Sequence, residues 1–314
     1  MANRKKVLVT GAKGMLGRDL VARLKRVRRY DVVAVDLQEM DITRLAEVKA
    51  LLLAHRPQIV VHTAAYTAVD RAETEREQAL AVNAEGAKNV AIFCRELAAD
   101  MIYISTDYVF DGAKESPYVE TDDPNPINVY GASKLLGEQH VAALVDNHKI
   151  CRTSWLCGVH GRSFIDSILR AVDEARPLSV VNDQFGRPTF TFDLADLIVR
   201  LLERPEYGIF HTTNSGYCSW FEFAQAIVKH SGRPGVKVRP ITSDQFRSLA
   251  RRPRNSILEN SHLAELGFRP PPHWQDSLKE YFARRAELAR TQAPAPAATA
   301  ARPGRKRKTL AKGE

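Results

Sequence analysis

The sequence is poor in cysteine and lacks any long apolar run. Its 4 cysteines are scattered, and none stands in a CxxC or other metal-type spacing, which favours free buried thiols over a disulfide framework or a zinc site. No window approaches the roughly 18 consecutive apolar residues of a membrane-spanning helix. The apolar run behind the basic opening is too short for a signal peptide. We therefore expect a cytoplasmic protein with no membrane span and no metal site.

Acidic residues are outnumbered, with 37 Asp and Glu against 46 Lys and Arg, but the excess is uneven. Residues 287–314 are predicted to be a disordered basic tail, because their end is rich in Pro, Ala, Lys and Arg without an apolar period. The tail could contact polyanions weakly, and a merely solvating extension explains it equally well. Nucleic-acid binding through the tail would predict an affinity that falls steeply with salt.

Short β-branched runs alternate with helical patterns through the first half of the chain. This alternation predicts an α/β protein with a Rossmann-like, doubly wound parallel sheet. We expect residues 1–160 to form a dinucleotide-binding domain and 161–286 to form mainly a smaller, partly interleaved mixed α/β lobe that binds substrate. Strands around 178–215 could return to the first domain. The predicted strands of the first domain are 6–10, 31–37, 57–65, 101–106 and 148–156, with helices at 41–56 and around 75–98.

A glycine-rich stretch, TGAKGMLG, joins the first predicted strand to the first predicted helix. Gly11, Gly14 and Gly17 would allow a tight turn, a close approach of the backbone to a pyrophosphate and close packing of helix on strand. Met15 and Leu16 lie in the same loop and are expected at the cofactor. The spacing is GxxGxxG rather than GxGxxG, so a plain strand–turn–helix that needs glycines remains the alternative.

Asp36 stands at the end of the second predicted strand, 19 residues after Gly17. A carboxylate at this place can accept hydrogen bonds from both ribose hydroxyls and would repel a 2′-phosphate, which favours NADH. Lys13 could pair with such a phosphate, which keeps NADPH open. Asp41 and Ile42 at the next turn are candidate adenine contacts, although Asp41 could equally be a helix N-cap.

The stretch VYGASK places Tyr130 and Lys134 four positions apart, so a helix would project both from one face. An ammonium beside a phenol favours the phenolate and lowers its pKa from about 10. Taken alone, this spacing could be coincidental. Thr106, however, ends the fourth predicted strand, at the functional edge of such a sheet. Together these residues form a carbonyl-reduction set in which Thr106 holds the oxygen, Tyr130 gives the proton and Lys134 lowers the phenol pKa and binds the nicotinamide ribose.

These motifs carry a family resemblance over about residues 5–285. The chain resembles an extended short-chain dehydrogenase/reductase through TGAKGMLG, Asp36, HTAA and YGASK. Within that superfamily it is similar to the dTDP-4-dehydrorhamnose reductase family. The narrower match lies in AAYTAVDRAE (64–73), STDYVFDG (105–112), ETDDPNPINVYGASKLLGE (120–138), RTSW (152–155) and NDQFGRPT (182–189).

The resemblance implies that NADH or NADPH reduces the C4 keto group of a nucleotide-linked 4-keto-6-deoxyhexose. The expected conversion is dTDP-4-dehydro-L-rhamnose to dTDP-L-rhamnose. We extrapolate from charge that Arg187 contacts a substrate phosphate, with a solvated surface arginine as the alternative. The residues that the resemblance itself assigns are Ala64, Ala65 and Tyr66 at the cofactor, Thr106 and Asp107 at the sugar, and Trp155 packed against the sugar.

One substitution separates two chemistries within the superfamily. Nucleotide-sugar dehydratases of the superfamily that this chain resembles carry an Asp-Glu pair after the threonine, whereas here the pair is Asp107-Tyr108. Without that glutamate, elimination lacks its base, and reduction is expected. The alternative function is a non-catalytic NAD(P)-binding regulatory subunit of a partner enzyme, with the basic tail as a docking arm. The chain could also form a homodimer, and no metal is expected.

Overall fold

The computed structural model of the chain describes residues 4–233 and 235–292, and it contains the expected alternation of strands and helices. The strands are β1 (Lys5–Thr10), β2 (Tyr30–Val35), β3 (Ile59–His62), β4 (Asp100–Thr106), β5 (His148–Thr153), β6 (Leu156–Cys157), β7 (Leu178–Val181), β8 (Phe185–Gly186), β9 (Thr189–Phe190), β10 (Gly208–His211), β11 (Cys218–Ser219) and β12 (Val238–Ile241).

The helices lie between and after these strands. In chain order they are α1 (Met15–Arg26), α2 (Leu45–His55), α3 (Val69–Ala72), α4 (Arg76–Leu80), α5 (Gly86–Glu96), α6 (Val129–Leu144), α7 (Phe164–Asp173), α8 (Thr191–Leu201), α9 (Trp220–His230), α10 (Ser261–Glu265) and α11 (Trp274–Gln292). None of the helices within the described residues is long and apolar enough to cross a membrane.

The central sheet is parallel and has six strands in the order β2-β1-β3-β4-β5-β10. Its inner strands are apolar on both faces, as in β1, where Val7, Leu8 and Val9 are fully buried. One face packs on α1 and α8, and the other packs on α2, α5 and α6. The Rossmann-like, doubly wound fold expected from the sequence is confirmed.

The second half of the chain is divided between this sheet and a smaller lobe. Strand β10 pairs in parallel with β5, and α8 packs on α1, so both return to the sheet. The smaller lobe contains α7, α9 and α11 around one apolar cluster, with the short strand pairs β7–β12 and β8–β11. The lobe boundary near residue 160 stays a prediction, since interleaving leaves no single cut.

Three predicted elements differ from the structure. Helix α2 begins at Leu45 rather than at residue 41. The single helix expected around 75–98 is divided by a π-helical turn at Ala81–Glu85, a type of irregularity common near functional sites. Residues 287–292, expected to begin the disordered tail, continue helix α11, while the tail residues 293–314 lie outside the described part.

Candidate active site

A cavity of about 990 Å³ opens at the carboxyl ends of β1, β3, β4 and β5. Parallel α/β sheets bind ligands outside the carboxyl ends of their strands. The binding crevice lies at the point where the strand order reverses. The cavity has two ends: a cofactor end beside the glycine loop and a catalytic end beside Thr106, Tyr130 and Lys134. The predicted site residues that line it are Gly11, Gly14, Met15, Leu16, Gly17, Asp36, Asp41, Ile42, Ala64, Ala65, Tyr66, Thr106, Asp107, Tyr130, Lys134 and Trp155.

The glycine loop is built so that backbone, not side chains, faces the cofactor end. Gly11 has φ +63°, and a Cβ there would lie 2.7 Å from the Ala64 nitrogen. A Cβ on Gly17 would lie 2.2 Å from the Gly11 oxygen, so the loop and α1 approach too closely for any side chain. Gly14 is the N-cap of α1 and offers no side-chain acceptor. The first N–H groups of α1 therefore remain available to an anion.

The Asp36 carboxylate is fixed at the end of β2 by two backbone donors. Lys13 N–H donates to its Oδ2 at 2.7 Å, and Leu37 N–H donates to its Oδ1 at 2.9 Å. The Lys13 ammonium is already paired, because it donates to Gln38 Oε1 at 2.9 Å and to Glu39 Oε1 at 3.0 Å. The two groups that were expected to decide between NADH and NADPH thus form one network.

The next turn corrects one alternative. Asp41 is not the N-cap of α2, because that position belongs to Arg44. Instead, the Asp41 carboxylate accepts from Thr43 N–H at 3.0 Å and closes a local turn. Asp41 and Ile42 both line the cavity, so their expected position at the cofactor end is geometrically available.

The segment Ala64–Ala65–Tyr66 is held by the π-helical turn of residues 81–85. Asn83 is buried, and its side chain accepts from Tyr66 N–H at 2.8 Å and donates to the Tyr66 oxygen at 3.0 Å. Its amide also donates to Ser133 Oγ on α6 at 2.9 Å. Asn83 therefore ties the cofactor-end loop to the helix that carries the catalytic end. Sequence reasoning missed it, since nothing in the local pattern marks a buried amide.

Helix α6 presents Tyr130 and Lys134 to the cavity, as the spacing predicted. It begins at Val129 because Asn128 is the N-cap and its side chain accepts from Gly131 N–H at 2.7 Å. Gly131 brings the helix onto the turn after β4: a Cβ there would lie 2.0 Å from the Tyr108 oxygen. This close approach places Tyr130 beside Thr106, which ends β4.

The expected lowering of the Tyr130 pKa is wrong for this structure. Burial raises the pKa of Tyr130 to about 12, and contact with the Thr106 hydroxyl only partly opposes that rise. Burial also lowers the pKa of Lys134 to about 7, with Glu138 opposing. A lysine amine that is only half protonated near neutral pH has a weak electrostatic effect on the phenol pKa. The sequence spacing could not reveal that both groups are buried.

A buried tyrosine on β4, Tyr103, contacts both the side-chain amine and the backbone carbonyl of Lys134. The Lys134 Nζ lies 4.0 Å from the centroid of the Tyr103 ring, in cation–π geometry. The Tyr103 hydroxyl lies 3.1 Å from the backbone carbonyl oxygen of Asn83 and 3.3 Å from that of Lys134, so its single proton is shared between the two acceptors. A Cβ on Gly137 would lie 2.3 Å from that hydroxyl, so α6 needs glycine there. Tyr103 carries no sequence signal that separates it from an ordinary core aromatic.

One oxygen of the Asp107 carboxyl has no hydrogen-bond partner among the described residues. Thr106 Oγ1 donates to Asp107 Oδ1 at 3.0 Å, while Oδ2 is buried and unpaired. Burial raises the Asp107 pKa to about 7, against contacts with Ser256 and Thr106 that lower it. A buried carboxyl oxygen beside a cavity is suited to bind a hydroxyl of a ligand.

Arg187 is the one predicted site residue that lies outside the cavity lining. It is 8% exposed, and its Nη2 donates to Glu259 Oε2 at 2.5 Å. A solvated surface arginine does not describe this burial either. The structure also brings His160, Gly161 and Arg162 to the cavity wall, which the sequence reasoning did not assign. Among the described residues, no group of three or more His, Cys, Asp or Glu side chains could hold a metal ion.

Comparison with known proteins identifies one family over most of the chain. The family model described as "RmlD substrate binding domain" matches residues 5–287. A dTDP-4-keto-6-deoxy-D-glucose reductase from Streptomyces niveus is 41% identical over 276 residues, covering 88% of this chain and 96% of the relative. A dTDP-4-dehydrorhamnose reductase from Streptomyces griseus is 41% identical over 285 residues, covering 89% and 93%.

A solved structure of the same family is similar to this chain over nearly its whole length. The dTDP-4-dehydrorhamnose reductase of Bacillus anthracis, in complex with NADP, superposes with a TM-score of 0.87 and 41% identity, covering 90% of this chain and 99% of the other. The similarity thus extends over both ends of the cavity and over the smaller lobe.

Proposed function

The chain belongs to the dTDP-4-dehydrorhamnose reductase family, and from that premise we propose that it reduces the C4 keto group of a nucleotide-linked 4-keto-6-deoxyhexose. The expected reaction converts dTDP-4-dehydro-L-rhamnose to dTDP-L-rhamnose. The observation that carries the proposal is that Thr106, Tyr130 and Lys134 line the same cavity as the glycine loop and Asp36. One cavity can therefore bring a dinucleotide and a carbonyl together.

A nicotinamide cofactor fits the residues at the cofactor end. Gly11, Gly14 and Gly17 would receive the pyrophosphate at the start of α1, and Asp36 would accept from the adenosine ribose. When bound, the reduced nicotinamide supplies the hydride. Lys134, at the catalytic end, would donate to the nicotinamide ribose while it is protonated.

Asp36 favours NADH, because a fixed carboxylate repels a 2′-phosphate. Lys13 could leave Glu39 and meet that phosphate instead, since the pair is about half exposed, with side-chain exposures of 51% and 45%. The relative from Bacillus anthracis binds NADP. We propose that either reduced cofactor is accepted and that the network of Lys13, Asp36 and Glu39 sets the ratio.

Tyr130 is suited to give a proton at the carbonyl oxygen. A phenol whose pKa is raised to about 12 is fully protonated at neutral pH, so it acts as an acid toward the alkoxide that forms during reduction. Thr106 lies beside Tyr130 and would hold the same oxygen by turning its hydroxyl proton from Asp107 Oδ1 to the substrate. Asp107 would anchor a sugar hydroxyl through its unpaired oxygen.

The residue after Asp107 supports reduction over elimination. Elimination needs a base near the sugar C5, and Tyr108 stands where the dehydratases carry glutamate. Burial raises the pKa of Tyr108 far above its usual value, so it cannot act as a base near neutral pH. The free cysteines Cys94, Cys151, Cys157 and Cys218 are buried, which fits a reducing compartment, and we propose the cytoplasm.

The test compares wild type with Tyr130→Phe in oxidation of NADH and NADPH by enzymatically prepared dTDP-4-dehydro-L-rhamnose. We expect wild-type turnover and a loss of about 10²- to 10⁴-fold in the variant, which is the usual contribution of one proton donor. Cofactor affinity, measured by fluorescence titration, should stay within about threefold. Wild-type protein that binds cofactor but oxidises none would contradict the proposal and favour a binding subunit.

A further inference from the structure

Two of the 3 tryptophans in the chain are stacked on each other at the cavity wall. The ring centroids of Trp155 and Trp220 are 3.5 Å apart, and the ring planes differ by 8°. Trp155 lines the cavity, whereas Trp220 does not belong to the described lining. The third, Trp274, is buried in the same apolar cluster, edge-on to Phe223 with centroids 5.6 Å apart, and it stacks on neither indole of the pair. The stacked pair therefore joins a cavity residue to one behind it.

Trp155 adopts a backbone conformation that its own side chain disfavours. Its φ is +45°, in the left-handed region that bulky residues rarely enter. Such strain persists only where the surrounding structure holds the residue in place, and it is concentrated at functional sites. The indole is only 9% exposed. The position of this ring is therefore imposed by its neighbours.

Those neighbours belong to the smaller lobe. A Cβ on Gly186, in β8, would lie 2.4 Å from Trp155 Cε2 and 2.5 Å from its Nε1, so glycine is required for the ring to fit. Gly186 pairs with Cys218 in β11, and Trp220 follows as the first residue of α9. Phe164 on α7 supports Trp220 from a centroid distance of 4.5 Å. The β8–β11 pair thus leaves space for the Trp155 ring and leads directly into the helix that carries its stacking partner, Trp220.

We propose that Trp220 is a positioning residue for the sugar: its ring fixes the Trp155 indole as the wall of the catalytic end of the cavity. The inference rests on the proposed function, because it takes the sugar to be the ligand that meets Trp155. It goes beyond that function by assigning sugar recognition to a residue that does not line the cavity. Loss of the stack should weaken use of the sugar and leave cofactor binding at the glycine loop unaffected.

The stack also gives a signal that is independent of turnover. Two indoles stacked face to face at this distance can couple their excited states, and we expect the pair to give a couplet of opposite-signed bands in the far-ultraviolet circular dichroism. Trp274→Phe should retain this couplet, because it leaves the pair intact. Trp220→Phe and Trp220→Ala should both abolish it. Trp220→Phe keeps a flat ring against Trp155, so it should preserve the wall.

The experiment measures the couplet, NADPH affinity and the steady-state constants for the 4-keto sugar in wild type, Trp220→Ala, Trp220→Phe and Trp274→Phe. Trp220→Ala should raise KM for the sugar about 3- to 10-fold, the range of one aromatic stack. The rescue variant Trp220→Phe should stay within about twofold of wild type, and NADPH affinity should not change in either. Gly186→Ala should disturb the couplet and raise the same KM.

The proposal is overturned if Trp220→Ala loses the couplet with unchanged KM and kcat. It is also overturned if NADPH affinity and melting temperature fall together with the couplet in both Trp220 variants, which would mean a merely structural role. Binding of the nucleotide-sugar by equilibrium dialysis separates this result from failure of the proposed function. If wild type binds the sugar without turnover, the ratio of dissociation constants between Trp220→Ala and wild type still decides the role of Trp220.

Discussion

The two ends of the cavity differ in the groups that they offer to a ligand. The part of the cofactor end that would receive the pyrophosphate is backbone from one strand–loop–helix unit, where Gly11 and Gly17 leave no room for side chains. The catalytic end is assembled from β4, α6 and the segment after β5, and it relies on buried polar side chains whose pKa values are shifted. Backbone donors place no ionisable group in the interior, whereas buried ionisable groups lower stability in exchange for reactivity.

The comparison predicts opposite effects on stability and activity at Lys134. We expect Lys134→Met to lower turnover by about 10²-fold or more, because the nicotinamide ribose loses its ammonium donor. The same change should raise the free energy of unfolding by on the order of 1–3 kcal/mol, since a buried charge is removed. Denaturant unfolding at pH 6 and steady-state kinetics measure both.

The pH dependence of that stabilisation has a definite sign. The Lys134 pKa is about 7 in the folded protein, against a usual 10.5. The folded state therefore carries the full cost of the buried ammonium below pH 7, and the cost declines as the pH rises from 7 toward 10.5. The advantage of Lys134→Met over wild type should shrink across that window. An advantage that does not change with pH would contradict the assigned burial of charge.

At the cofactor end, the comparison predicts a defect of backbone geometry alone. Gly11→Ala should weaken NADH and NADPH binding by about 100-fold, because its Cβ would lie 2.7 Å from the Ala64 nitrogen and its φ is +63°. Isothermal titration measures the loss. Gly208→Ala is the matched control, since φ there is +111° but nothing lies within 4 Å of the added Cβ. Equal losses in the two variants would mean that general destabilisation, rather than the close approach at the glycine loop, is responsible.

We expect a smaller effect in the pH profile: kcat/KM should fall by about tenfold per pH unit above pH 7. The reason is that Lys134, with its pKa of about 7, loses its proton there. Asp107 also has a pKa of about 7. The variant Asp107→Asn separates the two groups. A decline that persists in this variant belongs to Lys134, and one that disappears would assign it to Asp107.

The smallest predicted effect concerns cofactor choice. Asp36→Asn keeps an acceptor for Lys13 N–H but removes the charge that repels a 2′-phosphate. We expect the ratio of kcat/KM for NADPH to that for NADH to rise about 3- to 10-fold. Glu39→Gln should shift the ratio in the same direction by freeing the Lys13 ammonium. No change in either variant would exclude this network from the choice.

The same division explains how much the sequence could predict. The cofactor end was predictable because the loop, Gly11 to Gly17, and Asp36 lie close together along the chain. Tyr130 and Lys134 were predictable because one helical turn places them together. Tyr103, Asn83 and Trp220 were not, because their roles arise from contacts across the fold that leave no local pattern.

Two errors have physical causes of the same kind. The pKa of Tyr130 was expected to fall because a lysine stands one turn away, but burial dominates and is a property of the whole fold. Helix α11 was not expected, although Trp274, Leu278 and Tyr281 are buried on one face at helical spacing. The arginines of this helix and the basic tail that follows it made the helical spacing of its apolar residues hard to recognise in the sequence.

The most direct test follows the hydride itself. Wild-type protein would be incubated with dTDP-4-dehydro-L-rhamnose and NADPH carrying deuterium at the transferred position, and the product would be analysed by NMR. We expect one deuterium at C4 of the sugar and none at the other ring carbons. Turnover that leaves C4 unlabelled, or cofactor that is bound and never oxidised, would contradict the proposed reduction.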